Sequence, residues 1–328
     1  MKKGKWLFTS ILIISTMITM SSNNWMGMWI GLELNMMSFI PLMLNKDNSK
    51  TSSEAAMMYF LVQSVSSILL LMMVVTIMMN YNIPDKTLFT LVNVSILVKM
   101  GAAPFHFWLP EILSKLEWMN CFILMTWQKI APLFMMSNLN NNLIVNMSII
   151  MSIVVGSIGG INQVSLRKLM GFSSINHLGW LMSINKSMNL WMIYLMIYSF
   201  INLMVCMSFM NYKVYFLNQM SNLNMNNMEK INMFMMMMSM GGLPPFIGFL
   251  PKWITIQSMI HNKELLIIFI MIMFSIITLM YYLRIMTNMF LLSNSGVKWM
   301  TINPKKSLTL LLIMINLSLP LIMILDIM

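Results

Sequence analysis

Four ionisable residues lie inside stretches of sequence that are otherwise apolar: Glu33, Lys99, Lys129 and Lys252. A lysine near the centre of a lipid bilayer costs about 2.5–3.5 kcal/mol, and ionisable residues in such places usually mark an ion pathway. A carboxyl group and an amine can each take up and release a proton without a metal or a cofactor. These residue types in this setting therefore indicate proton transfer through an apolar medium.

Two of the lysines lie beside interruptions of similar sequence. Residues 100–110 read MGAAPFHFWLP, close to Lys99, and residues 240–251 read MGGLPPFIGFLP, just before Lys252. Proline removes a helical hydrogen bond, and the carbonyls that it frees cannot face lipid. We predict that both stretches are broken membrane helices that line a hydrated path, and that Pro110 breaks the first one again. The alternative is that proline and glycine are simply common in membrane helices.

Each of the four residues also has an alternative explanation. Glu33 could be a neutral, hydrogen-bonded residue that joins helices, and Lys99 could extend its amine to the membrane surface. Lys129, in MTWQKIAPL, precedes Pro132 by about one helical turn, where freed backbone groups can hold water. It could equally be a lysine paired for packing, and Lys252 could be an anchor at a helix end.

Two histidines are weaker candidates for proton transfer. His106 lies beside the first interruption, and His177 lies in SSINHLGW. Histidine exchanges protons near neutral pH, which suits a relay, but a hydrogen-bonded structural histidine is the alternative at both positions.

The sequence predicts no site for a cofactor or a metal in this chain. It contains no glycine-rich dinucleotide fingerprint after a strand, no P-loop and no cluster of metal ligands. Cys121 and Cys206 lie inside apolar segments, which argues against a disulfide framework, a zinc site or an iron–sulfur cluster. Nothing in the sequence is suited to bind a dinucleotide or a flavin.

The composition indicates an integral membrane protein. Of the 328 residues, 59% are hydrophobic and only 9% are charged, with a mean hydropathy of +0.77, whereas soluble domains carry about 25% charged residues. Because a spanning helix needs about 20 apolar residues, we predict an all-α polytopic fold of about eleven transmembrane helices. The predicted spans are 6–22, 24–44, 55–79, 88–108, 118–137, 142–161, 168–184, 188–212, 231–260, 265–291 and 307–325.

The basic residues predict the orientation of these spans. Thirteen of the 20 lysines and arginines fall in loops on the side of the N-terminus, and only Lys86, Lys186 and Lys263 fall in loops on the other side. The positive-inside rule places the N-terminus on the cytoplasm-equivalent side and the C-terminus opposite. The net charge of +11 is therefore explained by topology, and we expect no nucleic-acid partner.

The two similar interruptions also predict an internal repeat. They fall in the fourth and ninth predicted spans, and an offset of five helices inverts the second copy. We predict one transmembrane domain, residues 1–328, with two inverted five-helix repeats at about 55–161 and 168–291, each holding one discontinuous helix.

Four motifs in order carry a resemblance to a known family: GAAPFHFWLPE, MTWQKIAPL, SLRKLMGFSSINHLGW and GGLPPFIGFLPKW. Together they resemble the mitochondrially encoded, antiporter-like membrane subunits of the proton-pumping NADH–ubiquinone oxidoreductase, respiratory complex I. The length and the 48 methionines suggest an animal, arthropod-type member. The resemblance implies a multi-pass protein of the mitochondrial inner membrane, with its N-terminus on the matrix side and its C-terminus on the side of the intermembrane space.

The resemblance also implies roles and partners. It pairs Glu33 with Lys99, makes Lys129 the central lysine of a proton relay and assigns Lys252 to the terminal proton step. It implies that partner subunits of the membrane and peripheral arms bind NADH, FMN, iron–sulfur clusters and ubiquinone. It also implies that phospholipid surrounds the chain. The expected function is proton translocation driven by redox chemistry elsewhere. The alternatives are a stand-alone Na⁺/H⁺ antiporter of the same fold and a structural scaffold subunit.

Overall fold

The computed structural model describes residues 2–44, 50–79, 84–139, 143–221, 227–290 and 313–320. These residues form fourteen named α-helices and no β-strand beyond one isolated bridge between Ser165 and Phe216. The helices are α1 Lys2–Ser21, α2 Trp25–Met43, α3 Lys50–Met78, α4 Asp85–Met100, α5 Trp108–Lys115, α6 Trp118–Met125, α7 Trp127–Ser137, α8 Leu143–Ile161, α9 Leu166–Ser183, α10 Met188–Tyr212, α11 Leu217–Ser221, α12 Asn227–Gly241, α13 Phe249–His261 and α14 Leu265–Phe290.

Six of these helices are long and apolar enough to cross a membrane: α1, α2, α3, α8, α10 and α14. Their outer faces carry large apolar side chains, such as Met57, Leu61 and Ile68 on α3, which are exposed. Water would not favour such a surface, but lipid does. The prediction of an all-α membrane protein is thereby confirmed.

Several of the shorter helices mark interruptions of predicted spans. In the span predicted at 88–108 the helix α4 ends at Met100 and α5 begins only at Trp108, and the span predicted at 231–260 is divided between α12 and α13. The span predicted at 307–325 falls mostly outside the described residues.

The prediction of a continuous helix at 118–137 is wrong. The helix stops at Met125 and resumes at Trp127, because Thr126 has φ −120° and ψ −69°, outside the helical region. The Thr126 hydroxyl donates to the carbonyl of Phe122 at 2.7 Å. A threonine that bonds back to the preceding turn often bends a helix, and α7 also contains Pro132, which has no N–H to donate to the preceding turn.

The first predicted break ends α4 with a left-handed glycine cap. Gly101 has φ +70°, and the backbone N–H groups of Gly101 and Ala102 donate to the carbonyls of Val98 (3.2 Å) and Leu97 (3.1 Å). Glycine adopts this conformation without the steric cost that a Cβ would bring.

The second predicted break has the same local geometry. Gly242 has φ +75°, and the N–H groups of Gly242 and Leu243 donate to the carbonyls of Ser239 (3.0 Å) and Met238 (3.3 Å) at the end of α12. The similarity that the sequence showed at 100–110 and 240–251 is therefore also a similarity of helix termination.

The expected additional break at Pro110 is wrong. Pro110 is the third residue of α5, and Pro251 is the third residue of α13. The first N–H groups of a helix have no partner within that helix, so a proline in the first turn forfeits no hydrogen bond.

The chain forms two compact units, each with its own core. The first unit comprises Met1–Ser152 and His177–Met188, and the second comprises Ile153–Asn176 and Asn189–Met328. In the first unit Phe39 and Leu70 are fully buried, and in the second Phe209 and Ile285 are fully buried. The first unit contains Glu33, Lys99 and Lys129, and the second contains Lys252.

Candidate functional site

Lys99 is the second-to-last residue of α4 and is 95% buried. Because the helix ends at Met100, the carbonyl of Lys99 loses the partner that a further turn would have supplied. The side-chain amide of Gln63, on α3, donates to that carbonyl at 3.1 Å. The freed carbonyl thus meets a neighbouring helix, which is one of the outcomes that membrane burial permits.

A second carbonyl at the same break is held in a similar way. The indole N–H of Trp108, on α5, donates to the carbonyl of Val98 at 3.2 Å. Side chains of α3 and α5 therefore fix the end of α4, and with it the backbone of Lys99.

We expect Gln63→Leu to loosen this helix end. The substitution leaves the Lys99 carbonyl without its amide donor, at a cost of about 1–3 kcal/mol for an unsatisfied buried polar group. Amide hydrogen exchange over residues 99–106 of the assembled protein should accelerate by roughly tenfold, since each 1.4 kcal/mol is one decade. Gln257→Leu, at an exposed position of α13, is the control, and equal exchange in both variants would contradict the role given to Gln63.

Lys129 lies in the first turn of α7, just after the break at Thr126, and is 98% buried. Lys99 and Lys129 line the same cavity of about 10 Å³, which is close to the smallest volume that holds one water molecule. The other residues that line it are Tyr59, Gln63, Met100, Trp108, Leu109, Leu124 and Gln128. Two buried amines therefore share one small, partly polar space.

A second cavity of similar volume also borders Lys99 and shares Tyr59, Gln63 and Gln128 with the first. Its lining residues are Leu32, Asn35, Met36, Tyr59, Gln63, Lys99, Gln128 and Pro132. Three of the polar ones form a hydrogen-bonded chain, in which the Tyr59 hydroxyl donates to Gln128 Oε1 at 3.2 Å and Gln128 Nε2 donates to Asn35 Oδ1 at 2.9 Å. Lys99 thus borders two polar cavities within the first unit.

Glu33 lies midway along α2 and is half-buried. Its carboxylate acts electrostatically on the Lys99 amine, but no direct ion pair joins these two described side chains. The Glu33 side chain is only half-buried, and its charge therefore acts on Lys99 across a distance longer than an ion pair.

Lys252 is the fourth residue of α13 in the second unit and is buried. Its Nζ donates to the carbonyl of Gly241, the last residue of α12, at 2.7 Å. The end of a helix carries partial negative charge, so the break supplies a partner for the amine.

A Cβ at position 242 would lie 2.8–2.9 Å from the Cδ, Cε and Nζ atoms of Lys252. Gly242 therefore serves two purposes: it adopts the left-handed conformation, and it leaves the space that the Lys252 side chain fills.

The two histidines occupy different surroundings from the lysines. His106 is buried within the first break, where its Nδ1 contacts the carbonyl of Pro104 at 3.2 Å. His177 is buried in α9. Neither histidine lines the two cavities that border Lys99.

The residues that the sequence analysis missed are uncharged: Asn35, Tyr59, Gln63 and Gln128 all line the cavities. A usable signal was present, since amide side chains such as Gln63 in YFLVQSVSS are costly in an apolar helix unless they have partners. Among the described residues, no three His, Cys, Asp or Glu side chains come together as metal ligands.

Comparison with known proteins shows the family. The family model described as NADH:quinone oxidoreductase/Mrp antiporter, TM, matches residues 22–278. NADH-ubiquinone oxidoreductase chain 2 of Anopheles gambiae is 43% identical over 307 residues, covering 90% of this chain and 89% of the relative. The protein of the same name from Oryctolagus cuniculus is 35% identical over 333 residues, covering 94% of each chain.

Solved structures show the same fold. A chain of respiratory complex I from Thermus thermophilus aligns with a TM-score of 0.79 and 18% identity, covering 94% of this chain and 75% of that chain. A chain of the Mrp complex from Dietzia sp. DQ12-45-1b aligns with a TM-score of 0.77 and 16% identity, covering 86% of this chain and 60% of that chain. The resemblance inferred from the four motifs is confirmed, and the chain belongs to the NADH:quinone oxidoreductase/Mrp antiporter family of membrane proteins.

Proposed function

We propose that this chain is a proton-translocating membrane subunit of an NADH:ubiquinone oxidoreductase, respiratory complex I, and the counterpart of the relatives named chain 2. The observation that carries proton translocation is the pair of buried lysines, Lys99 and Lys129, that line one small, partly polar cavity. A scaffold would gain stability from leucine at either position, because burying an amine in an apolar interior is costly.

The protonation of one amine can alter the protonation of the other through their mutual electrostatics. Two positive charges that share a small space of low dielectric repel each other, so protonation of one amine disfavours protonation of the other. The Glu33 carboxylate favours positive charge on Lys99. A change in the distance between Glu33 and Lys99 therefore alters the charge on Lys99, and the Lys99 charge in turn alters the proton affinity of Lys129.

Lys252 is the proposed site of the terminal proton step. Its partner is the carbonyl of Gly241 at a helix end rather than a carboxylate. Such a partner favours the charged amine without being able to take the proton itself. His106 and His177 remain weaker candidates, since each is buried but lies away from the two cavities.

The remaining features of the proposal concern the assembly. NADH, FMN, iron–sulfur clusters and ubiquinone are bound by partner subunits, and this chain supplies no redox centre. The chain lies in the mitochondrial inner membrane with its N-terminus on the matrix side. We propose eleven spans arranged as two inverted repeats, supported by the matching helix ends at Gly101 and Gly242.

Two other functions are less well supported. A stand-alone Na⁺/H⁺ antiporter agrees with the likeness to the Mrp complex, but this chain covers only 60% of that Mrp chain and 89% of the insect chain 2 relative. A structural scaffold agrees with the apolar helix faces but gives no reason for the buried amines.

Purification under native conditions tests the proposed function. We expect the chain to co-purify with flavin and iron–sulfur proteins and to support proton uptake into vesicles only when NADH and a quinone are supplied. The chain purified alone should exchange neither sodium ions nor protons. Ion exchange by the isolated chain without NADH would instead favour the antiporter.

A further inference from the structure

Tyr59, on α3, lines both of the cavities that border Lys99. It is 98% buried, and its ring packs edge-on against Phe39 and Trp108, with centroid distances of 5.2 and 6.2 Å. Rings on two sides fix the position of the phenol, so its hydroxyl has a defined place beside the cavities.

A chain of hydrogen bonds fixes the orientation of that hydroxyl. The Gln128 amide nitrogen donates to Asn35 Oδ1 at 2.9 Å, which leaves Gln128 Oε1 to face Tyr59. An amide oxygen can only accept a hydrogen bond. In this arrangement the Tyr59 hydroxyl donates its proton to Gln128, whose amide is in turn bonded to Asn35.

A hydroxyl whose proton is engaged still has lone pairs available as acceptors. The residues around the two cavities that carry charged donors are Lys99 and Lys129, whereas the Gln63 amide donates to the Lys99 carbonyl. The Tyr59 oxygen therefore has acceptor capacity beside a cavity that both lysines also line. A hydrogen bond to a charged donor is about twice as strong as one between neutral groups.

We propose that Tyr59 is a positioning residue of the relay. Its oxygen accepts a hydrogen bond from the protonated amine of Lys99 or Lys129, directly or through one water molecule in the cavity. Tyr59 transfers no proton itself. Gln128 and Asn35 hold it as an acceptor. This inference rests on the proposed function and extends it to uncharged residues.

The test compares variants in the assembled complex, reconstituted in vesicles with NADH and a quinone. Protons taken up per NADH and the solvent deuterium isotope effect on uptake are measured for Tyr59→Phe, Gln128→Met, Phe39→Leu and Lys129→Met. Tyr59→Phe keeps the ring and removes the oxygen, Gln128→Met removes the group that orients it, and Phe39→Leu disturbs only the packing of the same ring.

We expect Tyr59→Phe and Gln128→Met each to assemble and to lower proton uptake about tenfold, the effect of losing one hydrogen bond to a charged group. Their isotope effects should rise, because the proton step becomes rate-limiting. Phe39→Leu loosens the Tyr59 ring but keeps its oxygen and the bond to Gln128, so it should lower uptake per NADH by much less than Tyr59→Phe and leave the isotope effect at the parent's value. If Tyr59→Phe fails to assemble, Gln128→Met is judged by the same criteria.

The role of Tyr59 would be overturned if assembled Tyr59→Phe and Gln128→Met both showed the parent's proton uptake and isotope effect while Lys129→Met lost uptake. The proposed function would then remain intact. Equal losses in Phe39→Leu and Tyr59→Phe, with unchanged isotope effects, would assign Tyr59 to packing alone. Normal uptake in Lys129→Met would instead refute the relay itself.

Discussion

Lys129→Met is expected to abolish proton translocation through this chain while the complex still assembles. Methionine fills nearly the same volume in the buried site but cannot carry a proton, so packing survives and proton transfer does not. Removal of a group that transfers protons typically costs about 10²–10⁴-fold in rate. The measurement is proton uptake per NADH oxidised in vesicles that contain the assembled complex.

The control for this variant is Lys186→Met, which makes the same change at an exposed position between α9 and α10. It should pump like the parent, since an exposed lysine can be replaced with little effect on the interior. An assembled Lys129→Met complex with a normal proton yield would show that Lys129 is a packing lysine, the alternative that the sequence left open.

Gly242→Ala is expected to have the second-largest effect, by displacing Lys252. The added methyl group would meet the lysine side chain at 2.8–2.9 Å, and the backbone at φ +75° disfavours any residue with a Cβ by about 1–2 kcal/mol. The Lys252 amine would then lose its bond to the Gly241 carbonyl. Misplacing a reacting group by about 1 Å can cost on the order of a hundredfold, so proton uptake should fall by between one and two decades.

The neighbouring glycine provides a matched control. A Cβ at Gly241 would meet only Leu279 and Tyr282, at 3.6 Å or more, which is ordinary van der Waals contact. Gly241→Ala should therefore assemble and pump nearly normally. Similar losses in the two alanine variants would indicate a general effect on the end of α12 and would contradict a specific effect on Lys252.

The all-helical membrane fold could be predicted from the sequence because hydrophobicity and helix breakers are local properties. The breaks near Lys99 and Lys252 followed from proline and glycine in apolar runs, and the structure ends α4 and α12 beside these residues. The break at Thr126 could not be predicted in this way. The residues around Thr126 include no glycine or proline, and threonines that bond back to the preceding turn, such as Thr255, also occur in unbroken helices.

The surroundings of the lysines were harder to predict than the lysines themselves. Lys99 and Lys129 stand out because charge is rare in an apolar chain, whereas the partners of Tyr59 and Gln63 depend on how α3 packs against α4 and α7. Tyrosine and glutamine carry no charge, so their role depends on which atoms they face. Family resemblance implied that Glu33 pairs with Lys99. Only a structure could show that these two described side chains form no direct ion pair.

The measurement that tests the account most directly is infrared difference spectroscopy on the assembled complex, with isotope-labelled lysine, at rest and during turnover with NADH. If buried amines exchange protons, ammonium bands of lysine should change during turnover, and part of this change should be missing in Lys129→Met. Unchanged lysine bands in a complex that pumps protons at its normal rate would contradict the central claim, because Lys99 and Lys129 would then keep fixed charges.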